Sequence, residues 1–425
     1  MKSSGMFRTK SFLDANLIWK LLKIDKMSIL IKKLNKYQRY NHFPCTWQLG
    51  RKDNLWKNYK ILHQIFPEDF NFIPETYIIP EDQSQFVKSY ESKPDYNWIV
   101  KPVASSRGRG IRLLTNLNTL PKKCLVSKYI EKPHIIKNKK YDLRLYIVTT
   151  SFTPLKIYLY QDGLVRFASE EYCAVNNSNK YNRFMHLTNY SVNKNSSNFD
   201  KNISSEDNFT GSKWTLSAYK KYFKENTLDF ETLWSKIKDI VTKAIICAGD
   251  QTIATVKKLT SHTNNLFELY GFDILIDENL NPCLLEINLN PSLNCDTELD
   301  LKVKSSLMTD IFNLLGVIPY AHPEKIENNS ATCSNKYKNN IASIYTNLSN
   351  TLKEPTLMID DLKTLKDNLF KDENNNCGED IKMTFEDIKQ KIPDGIIAQI
   401  SEEYEKLGLE MNIGNEILLI YLFIL

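Results

Sequence analysis

A strand that ends in a lysine and opens into a loop of serine, glycine and arginine is suited to holding phosphate. Trp98-Ile-Val-Lys101-Pro-Val-Ala-Ser-Ser-Arg107-Gly108-Arg109-Gly110 has that form. Glycines let the backbone approach phosphate oxygens, while Lys and Arg supply neutralising charge. The lysine precedes the loop instead of closing it, so this is not the G-x-x-x-x-G-K-S/T phosphate loop. A plain basic turn is an equal reading of the loop alone. A second group is Asp273 in Phe272-Asp-Ile-Leu-Ile-Asp277, followed after a Glu-Asn-Leu-Asn-Pro turn by Leu284-Leu285-Glu286-Ile287-Asn288. With a side-chain period of two, Glu286 and Asn288 share one face, and a hairpin would bring Asp273 opposite them. Two carboxylates and an amide oxygen are a donor set that a hard cation such as Mg²⁺ takes beside phosphates. The alternative is a hairpin with a wet polar face. Leu284, Leu285 and Ile287 weigh against it, because they mark a buried strand in which unpaired carboxylates cost several kcal/mol.

Two further segments are polar in a patterned way. In Lys140-Tyr141-Asp142-Leu-Arg144-Leu-Tyr146, the side chains of Asp142, Arg144 and Tyr146 share a strand face, and pairing between Asp142 and Arg144 is as good a reading as ligand binding. His186-Leu-Thr188-Asn189-Tyr190-Ser191-Val-Asn193-Lys194 is dense in short polar groups, either a recognition loop or a turn, with His186 more readily structural than catalytic. There is no G-x-S-x-G elbow and no Cys/His nucleophile pair, which argues against acyl-enzyme chemistry. The eight cysteines lack C-x-x-C spacing, so neither a zinc site nor a disulfide framework is expected, and reduced thiols in a cytosolic protein are the natural reading.

These residues need a scaffold, and the chain has the size and composition for one. It has 425 residues, 42% apolar and 25% charged, the profile of a globular enzyme and not of a disordered, fibrous or membrane protein. The net charge of +6 is uneven: residues 321–425 hold 11 lysines and 18 acidic side chains, which leaves the first 320 residues at +13. So basic a body suits an anionic partner. Helical spacing is expected in residues 10–40 and 212–258, and strands at Trp98–Val100, Leu125–Ile130, Leu143–Thr149, Phe272–Ile276 and Cys283–Ile287. A hairpin with an Asp162-Gly163 turn is expected over residues 154–168. Strands and helices come in blocks, which favours an α+β architecture. Beyond Pro319 the chain turns to Asn, Lys and Ser, then to two acidic helix-like stretches at 356–370 and 383–407. The apolar run Ile417–Leu425 is too short to cross a bilayer, which takes about 20 residues as helix.

Taken in order, Asn41-His-Phe-Pro44, Gly50-Arg51-Lys52-Asp53-x-Leu55, the loop ending at Gly110, Lys140–Arg144, Gly163–Ser169, Phe184–Lys194, Gly211-x-Lys213-Trp214, Phe267–Asp277, Leu284–Leu293 and Leu299-Asp300-x-x-x-Lys304 resemble the tubulin tyrosine ligase-like family. The pattern is most similar to its polyglutamylases and covers roughly residues 10–320. The resemblance implies an α+β ATP-grasp fold, with residues 1–95, 96–165 and 166–320 as N-terminal, central and C-terminal lobes and 321–425 as a mostly helical or disordered extension. It implies ATP and Mg²⁺ as cofactors, with free L-glutamate joined to glutamate side chains of tubulin C-terminal tails through an acyl-phosphate. By position, Lys101, Arg107, Gly108, Ser127, Lys128, Tyr129, Ile130, Lys140, Tyr141, Asp142, Thr188 and Asn189 would hold the nucleotide. Asp273, Glu286 and Asn288 would hold Mg²⁺. Arg166, Tyr190, Lys213 and Lys304 would receive the amino acid, and Arg107, Arg144 and Glu286 would serve the chemistry. Tubulin or microtubules are the expected partner, on the cytoplasmic cytoskeleton, with cilium, flagellum and basal body as candidate places. Nucleic acid and membrane are not expected partners, and a monomer is expected.

The chain departs from the family pattern at three places. Cys283 stands where tryptophan is usual, Leu266 replaces a common cysteine, and the apolar ending replaces an aromatic, basic continuation, which reads as a truncated or mis-spliced gene product. A catalytically inactive microtubule-binding relative is disfavoured by the presence of all three of Asp273, Glu286 and Asn288, and a glycine or tyrosine ligase by the four-residue amino-acid pocket.

Overall fold

Leu17–Val317 make one unit of mixed helix and sheet in the computed structural model, which describes residues 8–317 apart from 13, 104, 106, 201–208 and 261. The acidic stretches expected at 356–370 and 383–407 lie outside the described residues. In chain order the unit begins with β1 (Leu17–Ile18), α1 (Ile24–Lys32), β2 (Arg39–Tyr40), α2 (Trp47–Gly50) and α3 (Lys52–Ile65). There follow β3 (Thr76–Ile79), α4 (Gln83–Ser92), β4 (Trp98–Lys101), β5 (Arg112–Leu113) and β6 (Cys124–Lys128). The next group is β7 (Ile135–Ile136), β8 (Lys139–Phe152), β9 (Leu155–Glu171), α5 (Arg183–His186), α6 (Tyr190–Asn193) and β10 (Lys213–Thr215). Last come α7 (Leu216–Glu225), α8 (Phe230–Ile246), α9 (Gly249–Leu259), β11 (Glu268–Ile276), β12 (Pro282–Asn288) and α10 (Glu298–Leu315).

Two sheets carry the candidate residues. The smaller has the order β3-β6-β4-β5. Its alternation sends Trp98, Val100, Cys124 and Val126 to one face, where they pack with Ile79 and with Phe86 of α4. Burying each of the large side chains there is worth about 1.5–3 kcal/mol. Ile99, Lys101, Leu125 and Ser127 lie on the other face, as the pairings Ile99–Ser127 and Lys101–Leu125 require. The larger sheet runs β10-β9-β8-β11-β12, with β7 added to β8. Tyr141, Leu143, Leu145, Phe272 and Ile274 form its buried apolar face. The opposite face carries Lys140, Asp142 and Arg144, then becomes apolar at Tyr146 and Val148, where α10 covers it through Leu299, Val303 and Leu307. Helix starts are set locally: Thr215, Asp229 and Thr297 accept from the backbone N–H groups of Ala218, Thr232 and Asp300, satisfying donors that a first turn leaves open.

Three expectations about elements are corrected. The Asp162-Gly163 pair is not a turn: β9 runs through it, and the reversal lies between Phe152 and Leu155. Asp162 Oδ1 accepts from Leu216 N at 2.8 Å, so the aspartate is engaged with the start of α7. A Cβ at Gly163 would meet the Arg144 carbonyl at 2.8 Å, so the glycine is needed for close strand approach. Among the described residues of 10–40 only Ile24–Lys32 is helical, and Leu17–Ile18 instead pairs in parallel with Arg39–Tyr40. Lys213–Thr215 is an edge strand and not part of a helix.

Candidate active site

Cross-strand register builds the polar face of the larger sheet. Asp142 lies opposite Arg166, Arg144 opposite Asp273, and Asp273 opposite Glu286. Arg166 donates to Asp142 through Nε at 2.8 Å and Nη2 at 2.5 Å, and its Nη2 lies 2.9 Å from Asp273 Oδ2. Arg144 donates to Asp273 through Nε at 2.5 Å and Nη2 at 3.0 Å. Asp142 and Arg144 therefore do not pair with each other, because two residues apart on a strand they are side by side while the directly opposed positions are closer. Burial alone would raise the Asp273 carboxyl, but Arg144 and Arg166 outweigh it and hold it well below the usual carboxylate range. Desolvation opposes charge on Arg166 too, and Asp142 and Asp273 overcome it. Two aspartates and two arginines thus balance one another in the buried sheet.

The neighbouring lysines are not balanced. Lys140 is 5% exposed, and its Nζ donates to Tyr129 Oη at 3.0 Å and sits 4.2 Å from that ring. Desolvation lowers it to about 7, with Asp142 pulling it up and Lys101 pushing it further down. Lys101 is lowered to about 8, first by desolvation and then by Lys52, with Glu286 opposing. Among the described residues Lys101 has no carboxylate within salt-bridge distance, whereas Lys52 Nζ holds Glu286 Oε2 at 2.7 Å. An excess of desolvated ammonium groups beside one carboxylate is the electrostatic complement of a polyphosphate. Tyr129 Oη also contacts His186 Nδ1 at 2.9 Å, and His186 Nε2 meets the Asn179 carbonyl at 3.1 Å, so His186 is a buried structural link.

The glycine loop is fastened to the segment 183–195. Arg107 and Gly108 have φ of 62° and 69°, their carbonyls accept from Ser191 Oγ at 2.9 Å and Arg183 Nη2 at 2.7 Å, and a Cβ on Gly108 would meet Asn189 Oδ1 at 2.7 Å. Asn189 and Gly108 are thereby neighbours, and Thr188, which precedes Asn189 in the chain, is buried. Asn193, fully buried, stiffens this segment: its Oδ1 accepts from Ser169 N and Oγ, and its Nδ2 donates to the carbonyls of Leu187 and Asn189. Between loop and segment lies a cleft of about 600 Å³, lined by Arg107, Arg109, Arg183 and Lys194 together with Tyr181 and Phe184 and, among the described residues, by no acidic side chain.

Other expected nucleotide residues scatter. Ser127 shares the Lys101 face, with Thr76 Oγ1 donating to its hydroxyl at 2.9 Å. Lys128 turns the other way, its Nζ 3.8 Å over the Tyr96 ring, and Ile130 follows β6 as a partly buried residue. Tyr141 lies on the opposite face from Asp142, with its hydroxyl 2.8 Å from that of Tyr219 and 2.9 Å from His134 Nδ1. Period-two alternation directs its side chain into the core beneath α7 and away from Lys140.

The amino-acid candidates converge from four elements. Lys213 on β10 pairs in register with Arg166 on β9, its Nζ lies 3.8 Å over the ring of Tyr190 from α6, and Lys304 comes from α10. The residue that joins them stands in the Leu299-Asp300-x-x-x-Lys304 block but had no role assigned from sequence: Asp300, fully buried, has Oδ2 at 2.6 Å from Lys213 Nζ and Oδ1 at 2.8 Å from Lys304 Nζ. Its signal was the i,i+4 spacing to Lys304 on the first turns of a helix. Lys52 likewise stands in the Gly50-Arg51-Lys52-Asp53-x-Leu55 block with no role assigned from sequence.

Among the described residues no group of three or more His, Cys, Asp and Glu converges. The expected metal set is instead two carboxylates and an amide. Asp273 is engaged by the two arginines, whereas Asn288 Nδ2 donates to the Gly271 carbonyl at 3.2 Å and to Glu286 Oε1 at 3.3 Å, which leaves the amide oxygen as acceptor. Glu286 and Asn288 thus offer oxygen donors beside the lysines, a chemistry that fits a hard cation. Cys283, opposite Leu275 across the hairpin, is a thiol pushed up to about 12 by burial, an inert packing group beside the site.

The sequence profile described as the tubulin-tyrosine ligase family matches residues 29–326. The chain is 42% identical over 320 residues to the tubulin polyglutamylase TTLL5 of Mus musculus, covering 75% of this chain and 24% of that protein. It is 41% identical over 307 residues to the tubulin monoglutamylase TTLL4 of Homo sapiens, 71% of this chain and 25% of that one. With the tubulin polyglutamylase ttll-5 of Caenorhabditis elegans the identity is 36% over 315 residues, 71% and 43% of the two chains. The chain therefore spans about a quarter of the length of the two mammalian relatives.

Proposed function

From the membership of this chain in the tubulin-tyrosine ligase family, we propose that it is an ATP- and Mg²⁺-dependent ligase that joins free L-glutamate to glutamate side chains in acidic tubulin tails. The observation that carries the reading is the set of partly or fully buried lysines, Lys52 and Lys101 beside Glu286 and Lys140 next to Lys101. Its cationic excess supports a nucleotide polyphosphate as the ligand of this face, in an ATP-grasp arrangement between the two sheets. When bound, ATP supplies the phosphoryl group that activates the acceptor carboxylate, and Mg²⁺ neutralises phosphate charge. Glu286 and Asn288 would hold the metal, with Asp273 close by on the paired strand. Lys101, Lys140 and the loop at Arg107 and Gly108 would hold the phosphates, Thr188 and Asn189 would face them, and Tyr129 would border the nucleotide. Arg144 stands at the edge of the buried network, where a fixed guanidinium can stabilise developing anionic charge without reorganising. Arg166, Tyr190, Lys213 and Lys304 would orient the incoming amino acid so that its amine faces the activated carboxyl.

The acidic acceptor is supported by the cleft lined with Arg107, Arg109, Arg183 and Lys194 and by the +13 of the first 320 residues. The names of the relatives agree on glutamylation of tubulin. Purified tubulin incubated with the protein, ATP and glutamate, then digested and examined by mass spectrometry, is the test. Tail peptides heavier by glutamyl increments, dependent on both ATP and glutamate, are expected. Increments from glycine or tyrosine, or none with any amino acid, would overturn the reading.

A further inference from the structure

The four side chains assigned to the amino acid bring three cations into a buried space, and they sit beside carboxylates that already answer them. Arg166 is held by Asp142 and Asp273, while Lys213 and Lys304 share Asp300. The first three belong to the sheet network. Asp300 belongs to nothing else: it is fully buried in the first turn of α10, and the N-cap Thr297 fixes it by accepting from its N–H at 3.1 Å and donating to its Oδ2 at 3.0 Å. Both carboxylate oxygens therefore point at lysines from two different elements. Lys304 is further anchored through a hydrogen bond to the Asn294 carbonyl, and Lys213 lies against the Tyr190 ring.

We propose that Asp300 is a positioning residue that holds Lys213 and Lys304 as a fixed pair of ammonium groups for the carboxylates of the incoming dicarboxylic amino acid. This inference rests on the ligase reading above. Two ammonium groups this close and this buried repel each other, and without a shared carboxylate one of them would swing out or lose its proton. Among the groups that face Lys213 are Asp300 and Lys304 from α10, Asp296 from the preceding loop, Tyr190 from α6 and Arg166 from β9. Desolvation already lowers Lys213, and Asp300 is the leading opposing charge. Removal of Asp300 thus pushes Lys213 further toward its neutral form, and a lower pH favours the charged form again.

The near-isosteric variant Asp300→Asn tests this through steady-state kinetics of ADP release with tubulin, ATP and glutamate. The KM for glutamate should rise by about tenfold or more while the KM for ATP stays within about twofold, and the glutamate defect should shrink at lower pH. A glutamate KM within about twofold of wild type, an equal rise in both constants, or a defect that does not respond to pH would overturn the role. If Asp300→Asn shows no cooperative thermal transition, Lys304→Met is compared with the double variant Asp300→Asn/Lys304→Met. A higher glutamate KM in the double variant supports the role through Lys213, and equal values overturn it. A wild-type protein with no glutamate-dependent ADP release would instead remove the ligase reading itself.

Discussion

The buried charges of this protein are handled in two opposite ways within a short distance. On the polar face of the larger sheet, Asp142, Arg144, Arg166 and Asp273 form a closed set in which every charge has its partner on the neighbouring strand. Beside it, Lys101 and Lys140 are desolvated to about 8 and 7. The first arrangement is complete before any ligand arrives and serves as a rigid frame. The second is costly until an anion joins it, so its cost is a measure of what it is built to receive. A site made this way distributes stability unevenly: the closed set should support the fold in addition to the roles proposed for Arg144, Arg166 and Asp273, whereas the open set should govern affinity and catalysis with little effect on folding.

The sharpest way to break that division is Asp273→Asn. It leaves two buried guanidinium groups without their shared carboxylate, and a loss of about 3–5 kcal/mol in unfolding free energy is expected. Urea denaturation reads it directly, and an unchanged midpoint would mean that the network does not support the fold. Glu286→Gln is the counterpart on the open side. Because Glu286 is partly exposed and, among the described residues, paired only with Lys52 and Asn288, the variant should unfold at nearly the wild-type temperature yet lose turnover by about a hundredfold to a thousandfold. Full activity in a folded variant would exclude this carboxylate from the chemistry.

A smaller effect is expected at Lys101→Met. Loss of one charge-assisted contact should raise the KM for ATP by about tenfold. The protein without nucleotide should be no less stable than wild type, since an unpaired ammonium is being removed. A marked drop in melting temperature would place Lys101 among the structural pairs. The smallest signal is a proton count. A lysine depressed from 10.5 to about 7 in the folded state, as Lys140 is, holds fewer protons than in the unfolded chain between those values. Stability without nucleotide should therefore rise with pH across that window and be flat below it. A bound polyanion would raise both lysines, so near pH 8 ATP binding should take up about one proton. Calorimetry in buffers of different ionisation enthalpy measures this, and proton release or no exchange would contradict the open-site picture.

The comparison also explains which parts of the site could be read in advance. The hairpin that opposes Asp273 and Glu286 was legible because its signals are local: period-two alternation, a polar turn between two apolar runs, and strands short enough to pair directly. The Asp162-Gly163 pair misled for the same reason. Its residues have turn chemistry, but Asp162 is used by the backbone of α7, which is distant in sequence. Arg166 shows the limit for side chains. By its place in the Gly163–Ser169 block it is expected to be an amino-acid contact, and the structure shows its fork already engaged by Asp142 and Asp273 from two other strands.

By itself the sequence determined the residue types of the site, their order and the alternation that sends Tyr141 to one side of β8 and Asp142 to the other. Those features depend only on neighbours in the chain and on backbone geometry. Which charge meets which was decided by tertiary structure. Arg144 and Asp273 are 129 residues apart, and Lys213 and Asp300 are 87 apart. Their pairing follows from sheet register and from where α10 begins on the sheet. The depressed lysines follow in the same way, because a pKa is set by burial and by charges in space, and no local pattern of residues specifies either.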